Sequence, residues 1–520
     1  MFREGYNMKI KSMKVKNFRG YSDEIIVNFD DLTVIVGKND VGKSTILEAL
    51  DIFFNDGKGV VKIDKTDVNI AKSKNGEYET VISICFCDLP DKVVIDSSVE
   101  TSLADEYLLN KNKELEIVKK FQNGGAAKVY IKANHPINKS CKDLLLKKNS
   151  ELKKIIKEEN IDYSDLSVNS IMRKEIWAKY SNDLQLDEIE LDVTKEDAKK
   201  IWDKISLYLP VYSLFQSDRK NSDSDNEIQD PLKEAVKQII SEESLQNSLA
   251  EIAEVVRKKI EEVSNRTLEK IREMDSEIAN TLNPVIPAAK NLKWQDVFKN
   301  VSISGDENIP INKRGSGVRR LILLNFFRAE AERRAENSEN ANVIYAIEEP
   351  ETSQHTNNQY KLIESLKKLA KLPKTQILLT THSPNIVKRL DFSNLRLLKD
   401  GEQKKEVKNV APGQLHYPSL NEVNYMAFGE ITEEYHNELY GFIELQGWLN
   451  DYKSGKQEID YKKLKKDGSI ATQKLTLTEY IRHQIHHPEN ENNRRFNLSE
   501  LKDSIEMMRN FISTNDKRVE

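Results

Sequence analysis

Apolar and polar positions alternate with two different periods at the ends of the chain, and charge dominates the stretch between them. Met8 to Phe29 reads as two short strands around Asn17-Phe18-Arg19-Gly20, and the apolar run Leu32 to Val36 as a third. Ile46 to Phe54 takes up a helical period, and Val81 to Cys87 returns to a strand closed by Leu89-Pro90. From about residue 100 to 290, lysine and glutamate crowd helical periods such as Leu144 to Glu158 and Leu232 to Thr281, which predicts an inserted helical arm. Inside that arm an apolar strand from Leu209 runs into a polar, aspartate-rich loop at Lys220 to Asp230, expected to be mobile. After residue 290 strands and helices alternate again: Val343 to Ile347, a helix over Asn357 to Leu372, Gln376 to Thr380, a short helix near Asn385, then Leu395 to Leu398. Apolar strands separated by helices imply a parallel sheet covered on both faces. The predicted class is therefore α/β: a head split into residues 1–95 and 291–411, an inserted arm over 96–290, and an all-helical region over 412–520.

Composition narrows the function classes. The 520 residues suffice for two to four domains, and 32% charged residues balance to a net −5, which argues against a globally basic nucleic-acid binder. No apolar run reaches membrane-spanning length and the first residues lack a signal-peptide stretch, so a cytoplasmic protein without a membrane partner is expected. Cys85, Cys87 and Cys141 are too few and too oddly numbered for a disulfide framework or a zinc site.

The candidate chemistry begins at Gly37-Lys38-Asn39-Asp40-Val41-Gly42-Lys43-Ser44-Thr45, between the Leu32 to Val36 strand and the Ile46 to Phe54 helix. A strand feeding a glycine-rich turn and then a helix aims several backbone N–H groups at one spot, and a polyphosphate is the natural occupant. Gly42 frees the backbone to curl around the anion, Lys43 would reach the β/γ oxygens, and Ser44 would hold Mg²⁺ through its hydroxyl; Asn39 and Thr45 complete the loop. Val343 to Ile347 then ends in Glu348-Glu349-Pro350-Glu351, placing Glu348 to act on Mg²⁺ through water and Glu349 to orient or deprotonate an attacking water. Ile377-Leu378-Leu379-Thr380-Thr381-His382 exposes His382 at a second strand end, where a hydrogen bond can sense the γ-phosphate. Ser316, flanked by Gly315 and Gly317 before the helical run Leu321 to Ala329, is a second anion-binding helix start. Two such ends in one chain suggest ATP held between two copies.

In that order, the phosphate loop, Gly315-Ser316-Gly317, Glu348-Glu349-Pro350-Glu351 and Thr381-His382-Ser383-Pro384 resemble the ABC-type ATPases of the RecF, SMC and OLD group. The resemblance implies a head-to-head dimer or higher homo-oligomer in which Ser316 of one chain caps the γ-phosphate bound by Lys43 of the other. Two departures stand out: the magnesium-side acid is Glu348 where many ABC proteins have aspartate, and the Q-loop glutamine is represented only by the candidate Gln216. More narrowly, Glu348 to His355 looks like the ATPase components of bacterial anti-phage systems of the Septu, retron-associated and PARIS kinds. Such a component would act as sensor and scaffold for a separate nuclease effector.

Thr478 to Pro488 carries three of the eight histidines on a helix stopped by Pro488. The spacing of Arg482 and His487 is similar to the Arg-x4-6-His motif of HEPN ribonucleases, with His487 as acid or base at a ribose 2′-OH and Arg482 stabilising the phosphorane. Three readings of this segment stand side by side: RNA cleavage, simple helix capping or partner docking, and a metal site at His483, His486 and His487. The expected alternatives to a sensor ATPase are accordingly a self-contained effector with an ATP-gated ribonuclease and a RecF-like DNA-repair ATPase contacting nucleic acid.

Overall fold

The computed structural model describes residues 7–56, 59–95, 99–194, 196–216, 243–274, 342–352, 356–401, 405–410, 419–465 and 468–515. The chain divides into two compact units, one formed by Met1–Ser217 with Ala331–Glu520 and the other by Asp218–Glu330.

In chain order the first unit opens with β1 (Lys9–Lys16), β2 (Ile25–Asn28), β3 (Leu32–Val36), α1 (Lys43–Phe54), α2 (Ile70–Lys74) and β4 (Glu79–Cys87). It continues through β5 (Leu115–Gln122), β6 (Ala127–Pro136), α3 (Asn149–Glu158), α4 (Asn169–Lys179), β7 (Leu186–Asp192), α5 (Glu196–Ile205) and β8 (Val211–Phe215). The second unit contributes α6 (Glu243–Met274), a single long helix. The first unit then resumes with β9 (Val343–Glu348), α7 (Thr356–Leu369), β10 (Thr375–Thr381), α8 (Pro384–Val387), β11 (Leu395–Asp400) and β12 (Lys405–Asn409). Its last part holds α9 (Leu420–Phe428), α10 (Glu433–Leu445), α11 (Leu449–Lys453), a hairpin of β13 (Glu458–Leu464) and β14 (Ile470–Thr476), α12 (Leu477–His486) and α13 (Leu498–Asn515).

Two six-stranded sheets share the core. One is antiparallel, ordered β2-β1-β4-β5-β6-β7; the other is ordered β12-β11-β3-β10-β9-β8. In the second sheet β11, β3, β10, β9 and β8 run parallel and only β12 is antiparallel. Every residue of β3, β9 and β10 is buried, as expected of strands covered on both faces. Because the strands are parallel, their C-terminal ends share one edge. Val36 pairs with Thr381, Thr380 with Glu348, and Ile347 with Phe215, so the loops after β3, β10, β9 and β8 emerge side by side. In such sheets ligands bind outside the carboxyl ends of the strands.

The stretch expected to begin a helical arm at residue 96 carries strands instead. β5, β6 and β7 extend the antiparallel sheet, and β8 closes the edge of the nucleotide sheet. On β6 the lysines sit on a period of two, buried Val129, Ile131 and Ala133 alternating with less buried Lys128, Tyr130 and Lys132. Charge density suggested a solvated helix, whereas the alternation belongs to a half-covered strand. The helical expectation does hold for α3 and α6.

The last part is mainly helical, around buried Tyr435, Leu439, Ile443, Ile481, Leu501, Ile505 and Met508. It is not all-helical as expected, since β13 and β14 form an antiparallel hairpin ahead of α12. The Asp467-Gly468 pair at its turn is an ordinary hairpin signal, and Gly468 takes φ 83° there.

Candidate functional site at the carboxyl edge of the parallel sheet

Gly37 leaves β3 where no side chain fits: a Cβ would lie 2.5 Å from the Leu398 carbonyl oxygen and 3.0 Å from Val41 Cγ1. Gly42, at φ 106°, turns the chain into α1, and the Tyr21 hydroxyl donates to its carbonyl at 2.8 Å. No side chain caps the N-terminus of α1 and no acidic residue occupies its first turn, so its N–H groups and positive dipole end are left for an anion. Ser44 and Thr45 are half-buried in that first turn, while Asn39 is exposed at the loop tip. Lys43 is buried and folds back into the loop, its Nζ donating 2.9 Å hydrogen bonds to the Gly37 and Lys38 carbonyls. Burial lowers the proton affinity of its ammonium, while the carboxylates of Glu349, Glu351 and Asp40 act to raise it.

The acid cluster stands on the neighbouring strands. Glu348 ends β9, buried and paired in register with Thr380, and Glu349 follows with φ 39°, an uncommon left-handed backbone held by its N–H bonding to the Thr380 carbonyl at 3.0 Å. The His382 Nδ1 lies 3.2 Å from Glu349 Oε1 and 3.7 Å from Glu351 Oε1. Lys43, Glu348, Glu349 and His382 are thus brought to one edge, as their motifs imply. Further along α1, the Gln216 amide just past β8 donates to Glu48 at 2.9 Å, and the Arg19 guanidinium bonds both Glu48 and Asp67. The strand-to-strand turn at Asn17 to Gly20 therefore delivers Arg19 to the site's flank, a role that only tertiary placement reveals.

Ser316 and Gly317 lie outside the described residues, as does the loop Lys220 to Asp230. The C-terminal pair is described and faces different neighbours. Arg482 stacks its guanidinium 4.1 Å from the centre of the Tyr440 ring and lies 3.6 Å from Glu444, both on α10. His487 caps α12 and pairs with Glu489 at 3.2 Å, its ring stacked on His483. The described residues hold no group of three or more acidic, histidine or cysteine side chains arranged for a metal ion. None of their helices is long and apolar enough to cross a membrane.

An uncapped helix start, a backbone loop and a buried ammonium together call for a polyphosphate, and carboxylates two strands along the same sheet edge call for chemistry at its terminal phosphate. The fold and site define a P-loop ATPase of the ABC type. Residues 8–387 match the AAA ATPase domain family AAA_15, and the chain belongs to that family. Its curated relatives include the Endonuclease GajA of Bacillus cereus (strain HuB5-5), 26% identical over an alignment of 413 residues that covers 73% of this chain and 56% of that protein. The Retron Ec83 probable ATPase of Escherichia coli is 24% identical over 462 residues, 78% of this chain and 74% of that protein. The chain spans little more than half the length of the GajA relatives, 56% and 58% in two strains. Among solved structures, an Smc head bound to the C-winged helix domain of ScpA aligns with 77% of this chain and 96% of its own, at 14% identity and a TM-score of 0.36.

Proposed function

We propose that this ATPase serves a bacterial anti-phage defence system, where ATP held between paired heads sets the state of a nuclease effector. Supporting the reading are the relatives, one named as an endonuclease and one as a retron ATPase. The observation that carries the ATP chemistry is the arrival of Lys43, Glu349 and His382, from three separate motifs, at one edge of one parallel sheet.

In this reading the N–H groups of the Gly37 to Thr45 loop hold the β-phosphate and Lys43 exchanges its carbonyl partners for β- and γ-oxygens. The Ser44 hydroxyl and, through water, Glu348 would hold Mg²⁺, which would supply positive charge against that of the β- and γ-phosphates. Glu349 orients the attacking water and takes its proton, and His382 donates a hydrogen bond to the γ-phosphate. Ser316 and Gly317 of a second copy close the site from above the γ-phosphate. Since only correctly closed pairs hydrolyse, assembly and turnover are linked, and a nuclease docked on the pair would be released or activated by that cycle.

The test is a phage challenge of cells carrying the intact locus. Lys43→Ala and Glu349→Gln should each remove protection while leaving the protein expressed. Full protection with both variants would refute a defence role driven by ATP.

A further inference from the structure

Glu351 has no part in the chemistry above, yet it is the more deeply buried of the two carboxylates beside His382. It is 3% exposed, and its Oε1 accepts two hydrogen bonds from the neighbouring strand end: the Thr381 hydroxyl at 2.6 Å and the His382 backbone N–H at 3.1 Å. The same oxygen lies 3.7 Å from His382 Nδ1. Thr381, itself fully buried, passes the contact on, because its hydroxyl oxygen accepts the Ser383 N–H at 3.0 Å. The Ser383 hydroxyl in turn donates to Gln359 on α7 at 2.9 Å. The turn Thr381 to Ser383 is thus pinned on one side to the acid strand's loop and on the other to a helix.

We infer that Glu351 is a positioning residue for hydrolysis: its buried carboxylate locks the Thr381-His382 turn onto the loop after β9, fixing His382 beside Glu349. A buried acceptor of two convergent bonds is an expensive arrangement unless those bonds hold something in place. Here they join the loop that carries the proposed general base to the loop that carries the proposed γ-phosphate contact. The same two loops are joined further by the Glu349 N–H, which donates to the Thr380 carbonyl at 3.0 Å and to the Thr380 hydroxyl at 3.3 Å, and by the 3.2 Å approach of His382 Nδ1 to Glu349. A drift of the His382 ring by about 1 Å would be enough to cost on the order of 100-fold in rate.

The inference rests on His382 acting at the γ-phosphate, and the experiment separates the two claims. ATP turnover and ATP affinity are measured for wild type, Glu351→Ala, Glu351→Gln, His382→Ala and the double variant Glu351→Ala/His382→Ala. Glu351→Ala should lower kcat by about 100-fold with KM for ATP changed less than threefold. Glu351→Gln, which keeps an acceptor oxygen for both donors, should stay within about fivefold of wild type. The double variant should be no more than about threefold slower than His382→Ala alone, because Glu351 acts through His382. A wild-type kcat in Glu351→Ala, a matched rise in KM, or losses that multiply in the double variant would overturn the positioning role. A wild-type kcat in His382→Ala would instead overturn the assignment of His382. Should Glu351→Ala fail to fold, Thr381→Val removes one donor and leaves the acid in place; a kcat loss of about tenfold at constant KM is then expected, and none overturns the inference.

Discussion

Replacing Lys43 by alanine has two opposite consequences that can be sized separately. Without nucleotide, its Nζ makes two 2.9 Å bonds to neutral carbonyls, those of Gly37 and Lys38. On binding, both bonds pass to ionised phosphate oxygens. The ammonium is ionised in both states, so a bond to a neutral carbonyl lies at the lower end of the charge-assisted range, about 1.5 kcal/mol, and a bond to an ionised phosphate oxygen at the upper end, about 3; the exchange contributes about 1.5 kcal/mol per bond and about 3 kcal/mol in all. That corresponds to about a 100-fold loss of ATP affinity in Lys43→Ala. The free variant should also be less stable, by about 1–3 kcal/mol, because two carbonyls at the buried base of the loop lose their donor. Calorimetric titration with a non-hydrolysable ATP analogue measures the first effect and thermal unfolding without nucleotide the second. An affinity within threefold of wild type in a folded Lys43→Ala protein would refute the assignment of this loop as the phosphate cradle.

Gly37→Ala should behave like a binding-site lesion despite its small size: the new Cβ meets the Leu398 carbonyl oxygen at 2.5 Å, so the loop must shift, with at least tenfold weaker ATP binding by the same titration. His436 gives the C-terminal part a pH dependence. Burial, with the Arg482 charge adding to it, holds its pKa at about 4, below the 6.5 of an exposed histidine, so the unfolded chain binds the proton more readily. Stability is therefore complete above pH 6.5 and is lost as pH falls from 6.5 towards 4, by about 3 kcal/mol in total. Urea unfolding between pH 7 and 4.5 should show that slope, and His436→Gln should flatten it. Arg482→Ala removes the contact over Tyr440 and the pairing with Glu444, which should cost about 1 kcal/mol of C-terminal stability and leave ATP turnover unchanged; a large turnover loss would show that α12 reports to the heads.

The motifs that were legible in the sequence are those whose chemistry and local structure coincide. Gly37 to Thr45, Glu348 to Glu351 and Thr381-His382 each come at the end of a mainly apolar run that forms a wholly buried strand, so both the strand and the reactive end can be read from a few neighbouring residues. Over β5 to β7 charge density points to a helix although the chain forms paired strands: on β6 Lys128 and Lys132 alternate with buried neighbours, and on β5 Glu116 and Lys119 are themselves buried, paired with Lys14 and Asp56 in contacts that composition does not reveal. Arg19 and Glu351 were quoted in motifs without a role. Their partners are distant in sequence: Arg19 meets Glu48 of α1 and Asp67 only when the chain is folded, and Glu351 meets Thr381 and His382 through the pairing of β9 with β10. The hairpin before α12 departs from the all-helical expectation although the sequence carries Asp467-Gly468 between its two strands.

The central claim is that the phosphate loop is half of a site completed by a second chain. Its most direct test is the mass of Glu349→Gln in solution, measured by light scattering with ATP and with ADP. The variant keeps the cradle but lacks the base, so ATP should hold it at twice the protomer mass or an even multiple, and ADP should not. A Glu349→Gln protein that binds ATP fully and keeps the same mass in both nucleotides would contradict the account.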